Sequence, residues 1–427
     1  MKPNIAMGRT VIANHHQDEI VHVMVDIEAP EVPGLERAPL DVVLVIDRSG
    51  SMSGAPLRAV TEAVAEVLRL GQPTDRIGVV TFDNDAEMVL PLDHRHGAAA
   101  AQTVRAIRSG GSTNLSGGWL KALEMLAASP RETAVRRIII LTDGHANVGI
   151  SNHDQLAELV ASGHAQDIST SLIGFAAGYD EDLLEKLADA GQGNTYFCEG
   201  ADQASPVFTA EFNGLAAVVA QNIAIDVAPG SPVASASTLN DFPCTETTNG
   251  GFQIKIGDAY SGETRRVVVA FNLRPQTTLG PLDIAELTLR WTSVVGDKEI
   301  HTVTIPVSIT IGQLGEHDAG ADPRVRDEVI VLQAARDRRE ARQLADRGDF
   351  DSAVRLVEGS LARLQTVADQ SAAVRDTNVQ LHHLLNRTWD RQASKSSLAG
   401  SRAMNRKRRT VIRPDENTDD DTDSTGL

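Results

Sequence analysis

The sequence predicts a multidomain chain: a doubly wound α/β domain inserted in an antiparallel β-sandwich, then a C-terminal helical segment and a disordered charged tail. Between residues 39 and 221, short aliphatic runs alternate with segments of helical spacing. That is the pattern of a mainly parallel sheet covered on both faces, with right-handed crossovers. From about Ile223, helical spacing gives way to short alternating segments separated by Gly, Pro, Asn and Thr, the pattern of a sandwich. Beyond Asp322 the chain reads as helical, and after about Gln392 it is polar.

In chain order, residues 5–28 read as one or two strands, with a turn at 14–18. They are too few to be stable alone, which assigns them to the sandwich. The predicted units are residues 1–38 (first sandwich strands and a proline-rich linker), 39–221 (α/β domain), 222–314 (rest of the sandwich), 322–391 (α-helical hairpin or bundle) and 392–427 (tail).

Inside the α/β domain, residues 41–47 form a β-branched and aliphatic run bounded by turn formers, hence a buried strand. Residues 56–70 follow with Leu57, Val60, Val64, Val67 and Leu68 on one helix face, and Pro56 suits a first turn. Residues 76–82 form a strand with 86–90 as its hairpin partner, which makes Asp83-Asn84-Asp85 the turn. Helices are expected at 98–107, 115–127, 154–162, 180–190 and 206–220, and strands at 135–141, 167–175 and 195–198. The sandwich strands are expected at 251–256, 264–273, 283–291 and 299–311. In the helical segment, Val325, Val329 and Leu332 share a face. Gly348-Asp349 breaks the pattern, 352–367 resumes it, and Leu381, Leu384, Leu385 and Trp389 mark a last helix.

The stretch that organises the rest is Asp47-Arg48-Ser49-Gly50-Ser51, where a strand stops on an acid followed by two hydroxyls at alternate positions. These are hard oxygen ligands of the kind Mg²⁺ takes. Ligand sites of open α/β sheets lie at this end of the strands. A glycine-rich turn, Gly110-Gly111-Ser112-Thr113-Asn114, presents another hydroxyl. A second aliphatic run, from Ile138, ends on Thr142-Asp143-Gly144. A competing reading has Asp47 and Asp143 capping helices while the hydroxyls satisfy loop backbone.

In these three pieces the sequence resembles a von Willebrand factor A (vWA) domain, over roughly residues 40–220. The metal-ion-dependent adhesion site of that family uses Asp-x-Ser-x-Ser, a distant Thr and an Asp closing a later strand. Here those positions are Asp47, Ser49, Ser51, Thr113 and Asp143. The stretch Leu-Thr-Asp-Gly-His-Ala-Asn-Val-Gly is further similar to inter-α-trypsin-inhibitor heavy-chain-like and bacterial vWA proteins. The resemblance implies a Rossmann-like fold and a bound divalent cation, Mg²⁺ first, with Mn²⁺ and Ca²⁺ as alternatives. It implies hydroxyls as direct ligands and carboxylates acting mostly through water. It also implies a protein partner whose Asp or Glu carboxylate completes the metal. A metal-dependent binding module or adaptor, not an enzyme, is therefore expected. The alternatives are a subunit working with an AAA+ ATPase of the MoxR or chelatase kind, a member of a kinase–phosphatase–vWA signalling set, and metal-assisted hydrolysis.

Other chemistries lack their residues. Met52 stands where a nucleophile elbow needs serine, no phosphate-binding Gly-x₄-Gly-Lys-Ser/Thr stretch exists, and Asp47-Arg48-Ser49 lacks the second aspartate of a haloacid-dehalogenase phosphatase. His15-His16 and His382-His383 read as surface pairs. His145 and Asn147 either rim the site or serve the loop. A net charge of −18 argues against general nucleic-acid or anionic-membrane binding. Two cysteines, Cys198 and Cys244, suit a reducing compartment. The N-terminus shows no apolar export core, and no run is long enough to span a membrane, so a cytoplasmic location is expected. In the tail, a basic cluster at 406–409 precedes Thr410, and Thr418 precedes three acids. Those acids offer a built-in competitor for the metal site.

Overall fold

The computed structural model describes residues 1–385 apart from 14–17, 33–36, 144–145, 176–179, 199–202, 216, 248–249, 297, 314–317 and 366–371. The expected tail, Trp389, His15, His16 and His145 lie outside the described residues.

Three strands come first: β1 (Lys2–Met7), β2 (Val11–Ala13) and β3 (Glu19–Glu28). The α/β domain follows as β4 (Leu40–Asp47), α1 (Ala55–Leu70), β5 (Arg76–Phe82), β6 (Ala86–Asp93), α2 (Ala98–Arg105), α3 (Leu115–Ala127), β7 (Val135–Thr142), α4 (His153–His164), β8 (Ile168–Phe175), α5 (Glu181–Ala190), β9 (Gln192–Cys198) and α6 (Ala204–Leu215). Its sheet runs β6-β5-β4-β7-β8-β9, parallel except for β6. Alternate residues of β4 serve opposite faces. Val42, Leu44 and Ile46 join α1, α2 and α6 in one core, and Val43 and Val45 join α3, α4 and α5 in another. Burial on both faces is why β4 and β7 read as unbroken aliphatic runs. The strand order reverses between β4 and β7, and a crevice forms at the C-terminal ends of strands at such a reversal.

The remaining strands are β10 (Val218–Pro229), β11 (Val233–Thr238), β12 (Cys244–Glu246), β13 (Phe252–Tyr260), β14 (Thr264–Leu273), β15 (Gly280–Ser293) and β16 (Glu299–Gly312). They form a four-stranded sheet, β1-β3-β14-β11, and a six-stranded sheet, β12-β13-β10-β15-β16-β2. β3, which precedes the α/β domain, pairs along its whole length with β14, which follows it. Side chains of both sheets, among them Val23, Val25, Ile225, Val267 and Leu289, share one apolar cluster.

Four features depart from the expectations. The segment expected as one or two strands over 5–28 holds three, β1, β2 and β3. Residues 206–220 are not one helix: α6 stops at Leu215 and β10 begins at Val218. A bulge at Gln221–Asn222, with Asn222 left-handed at φ 56°, breaks the alternation that would have marked this strand. β2 pairs with β16 in parallel, so the sheets are not wholly antiparallel. Strands β11 and β12 were not expected, because their Ala, Ser, Thr and Cys residues carry no alternating pattern.

α7 (Pro323–Asp346), α8 (Phe350–Gln365) and α9 (Ala372–Leu385) close the described chain. Val325, Val329 and Leu332 of α7 pack on Met24 and Val268 of the four-stranded sheet. Farther along, Val331, Ala334 and Ala341 pack against α8 and α9. Arg342 then bonds Asp182 of α5 at 2.9 Å, so α7 braces the sheet and the α/β domain together. Cys198 is buried and Cys244 exposed, and neither is in a disulfide among the described residues. No helix among the described residues is long and apolar enough to cross a membrane.

Candidate metal centre

β4 stops at Asp47 and its parallel neighbour β7 stops at Thr142, one residue before Asp143. Asp47 is wholly buried. Its Oδ1 accepts the Ser49 backbone N–H at 2.8 Å and its Oδ2 accepts the Thr142 hydroxyl at 2.6 Å. Burial pushes this carboxyl up to about 6. The Thr142 and Ser49 hydrogen bonds oppose the shift, and the Asp143 charge adds to it.

A short turn over Gly50–Met52 lifts the chain from β4 to α1, and buried Met52 anchors it in the core below. The turn sets the Ser49 and Ser51 hydroxyls 3.1 Å apart. Ser49 is buried and Ser51 is exposed, so the pair leads from the strand end to solvent.

The glycine-rich loop is tied to this turn by backbone bonds. Gly50 donates to the Gly111 carbonyl at 3.0 Å and Gly110 to the Arg48 carbonyl at 2.8 Å. Gly111 is left-handed at φ 72°, and a Cβ there would stand 3.0 Å from Asp83 Cβ. Glycine is what lets the loops approach. Thr113 is buried, and its carbonyl accepts N–H groups of Asn147 (3.0 Å) and Val148 (3.2 Å) from the segment after Asp143. Asn114 caps α3 by accepting from Gly117 N–H. The structure therefore brings all five expected residues to the strand reversal.

Asp143 is 8% exposed, and its Oδ1 is buried with no hydrogen-bond partner among the described residues. An orphaned carboxylate oxygen beside a second buried carboxylate is costly unless a cation is shared between them. The capping alternative accounts for one bond of Asp47 and leaves Asp143 Oδ1 unexplained. The residues present fit a hard divalent cation, because every donor is oxygen. No cluster of three His, Cys, Asp or Glu suited to a metal occurs among the described residues.

Sequence reasoning missed three supporting side chains. Thr142 orients Asp47, and the available signal was a hydroxyl on the strand beside it. Arg48 pairs with Asp83 (3.1 Å) and Glu87 (3.2 Å) at the rim. Asn84, expected only to turn a hairpin, accepts Ser112 N–H at 2.9 Å, and its own carbonyl accepts from Asn114 Nδ2 at 3.1 Å. The turn thus also shapes the Thr113 loop. Asn147 is exposed and meets the site through its backbone.

Residues 41–209 match the family model of the von Willebrand factor type A domain. The chain is 26% identical over 341 residues to the uncharacterized protein sll0103 of Synechocystis, covering 78% of each chain. It is 32% identical over 169 residues to the human inter-alpha-trypsin inhibitor heavy chain H4, covering 38% of this chain and 18% of that one. The chain thus matches under a fifth of the heavy chain's length. Among solved structures, a von Willebrand factor type A protein from Catenulispora acidiphila superposes with a TM-score of 0.72 at 14% identity, covering 96% of this chain and 97% of that one, which shows a shared fold. The parallel sheet, its strand order and the family match coincide on one stretch, and this chain carries a von Willebrand factor type A domain.

Proposed function

We propose that this chain is a metal-dependent protein-binding adaptor. In this reading Asp47, Ser49, Ser51, Thr113 and Asp143 hold a divalent cation, and an Asp or Glu carboxylate of a partner protein completes it. The observation that carries this reading is the buried Oδ1 of Asp143, which has no hydrogen-bond partner among the described residues and is set beside buried Asp47 where the strand order reverses. All-oxygen donors favour Mg²⁺, with Mn²⁺ and Ca²⁺ as alternatives. When bound, the ion supplies an electron-poor position that an anionic ligand fills.

The chain's own residues prepare that position. Thr142 and the Ser49 N–H fix both oxygens of Asp47, the paired backbone bonds between the two loops hold Thr113 near the Ser49 turn, and exposed Ser51 keeps the approach open. The Ser49 and Ser51 hydroxyls bond each other, and in this reading they serve as metal ligands. We read the two sheets outside the α/β domain as a β-sandwich into which that domain is inserted, with α7 bracing the junction. The unbridged thiols suit a reducing, cytoplasmic setting.

The test is an affinity pull-down from native lysate with Mg²⁺ or with EDTA, using the wild type beside Ser49→Ala/Ser51→Ala. A protein retained only by the wild type in Mg²⁺ is the expected result. Its identity, whether an AAA+ ATPase, a kinase or phosphatase, or another protein, names the process. Equal retention in every lane would contradict binding through the metal.

A further inference from the structure

β16 is fourteen residues long, yet β2 covers only Thr310–Gly312 on its outer side. Between Glu299 and Ile309, no strand among the described residues pairs with that side. Such an edge is a template for another strand, and proteins usually blunt it with charge. β6 follows that rule with Glu87, Pro91 and Asp93, and β1 with Lys2 and Pro3. β16 carries one proline, Pro306, but from Ile300 to Gly312 it holds no Asp, Glu, Lys or Arg. Ile300 is 78% exposed.

A second observation concerns the core-facing row. Val307, Ile309 and Ile311 are buried, whereas His301, Val303 and Ile305 are only half-buried. The apolar core thus thins along the stretch that β2 leaves uncovered.

The hydrogen-bonding direction is set by one contact. Thr310 N–H reaches the Thr10 carbonyl at 2.8 Å, so it points away from β15. Alternate residues of a strand direct N–H and C=O to the same side, so Ile300, Thr302, Thr304 and Ser308 also point outward. Pro306 shares that parity and contributes only its carbonyl.

We infer that two copies of this chain pair through the open edge of β16, antiparallel about Val303, to make one continuous sheet across a two-fold axis. In this register Thr302 lies opposite the partner's Thr304, and each such pair exchanges both backbone bonds. Ile300 lies opposite the partner's Pro306, donating to its carbonyl, so the missing proline N–H costs one bond at each end of the ladder, two in all, and none at its centre. Val303 meets the partner's Val303, and Ile305 meets the partner's His301, which extends the half-buried row. Glu299 faces the partner's Val307, so no like charges are opposed. The register is self-complementary in charge and, apart from the Pro306 positions, in hydrogen bonding, and this selects a second copy over an unrelated extended peptide. Two metal sites in one particle would bind clustered partners with avidity.

The test is the mass of the full chain in solution, by sedimentation over a concentration series, for three proteins. Wild type should reach twice the 45.6 kDa of one chain. Thr302→Lys/Thr304→Lys sets like charges opposite each other and should stay at 45.6 kDa. Thr302→Lys/Thr304→Glu sets opposite charges in the same places and should recover the doubled mass. Both side chains face solvent, and circular dichroism checks that each protein folds. A wild type at the single-chain mass throughout would overturn the proposal. So would a doubled mass in the Lys/Lys variant, or a Lys/Glu variant as monomeric as the Lys/Lys one.

Discussion

The hydroxyl of Thr142 donates to Asp47 Oδ2 at 2.6 Å, so the strand that ends beside Asp143 also holds the carboxylate that ends β4. Two neighbouring strands thereby share one oriented acid, with its other oxygen held by Ser49 N–H. Thr142→Val keeps the β-branched shape in a fully buried strand and removes only the hydroxyl. Loss of such an outer support typically costs ~10–100-fold in metal affinity. Calorimetric titration with Mn²⁺ should show a loss in that range, and undiminished affinity would mean that the hydroxyl does not position the acid.

Asp47 bears on stability as well. Burial raises its carboxyl from an ordinary 3.8 to about 6, so the folded chain holds a proton that the unfolded chain has released. The metal-free fold therefore loses stability as pH rises across that interval, by an amount on the order of 2–3 kcal/mol. In EDTA at neutral pH, Asp47→Asn should melt higher than wild type. In Mg²⁺ the wild type should gain and the variant should not. A variant that melts lower in EDTA would contradict a buried-charge cost.

Acid sensitivity should come from a different aspartate. Burial pushes the Asp75 carboxyl up, but the paired Arg37 guanidinium and the backbone N–H groups of Gln72 (2.7 Å) and Leu40 (3.0 Å) outweigh it, so the net direction is down. A depressed carboxylate stabilises the fold above its unfolded value, and that stability is lost as pH falls through the folded value. Asp75→Asn should lower stability at neutral pH and flatten the acid limb of a urea midpoint-against-pH curve. An unchanged acid limb would assign acid unfolding to other groups.

How much of this was legible follows from the reach of each interaction. Asp47 and Asp143 could be placed because β4 and β7 are buried on both faces and end abruptly on an acid. Ser49 and Ser51 were read from their spacing around Gly50, whereas Thr113 was singled out by the resemblance to the vWA pattern. The start of β10 was not, because Asn222 sits in a bulge that reverses the alternation. Nor were the roles of Thr142 and Asn84, since each depends on a partner tens of residues away that only the folded sheet brings near. β11 carries Ala and Ser where a strand signal needs large apolar residues, and its pairing with β14 defines it.

The α/β domain and the sheet outside it meet at a buried ion pair. Arg137 of β7 bonds Asp258 of β13 at 2.6 Å, and both are nearly inaccessible. Asp258→Ala would leave the guanidinium buried and unpaired, a loss of about 3–5 kcal/mol. Adding Arg137→Met should recover most of it in urea unfolding. A single variant as stable as wild type would show that the pair does not join the two parts.

The central claim is that Asp47, Ser49, Ser51, Thr113 and Asp143 form one divalent-cation site. The most direct measurement is Mn²⁺ titration of the full chain followed by electron paramagnetic resonance, with Mg²⁺ as competitor, for wild type and Ser49→Ala/Ser51→Ala. One Mg²⁺-displaceable ion per wild-type chain, and none in the variant, is the predicted result. No stoichiometric binding by wild type, or equal binding by both proteins, would contradict it.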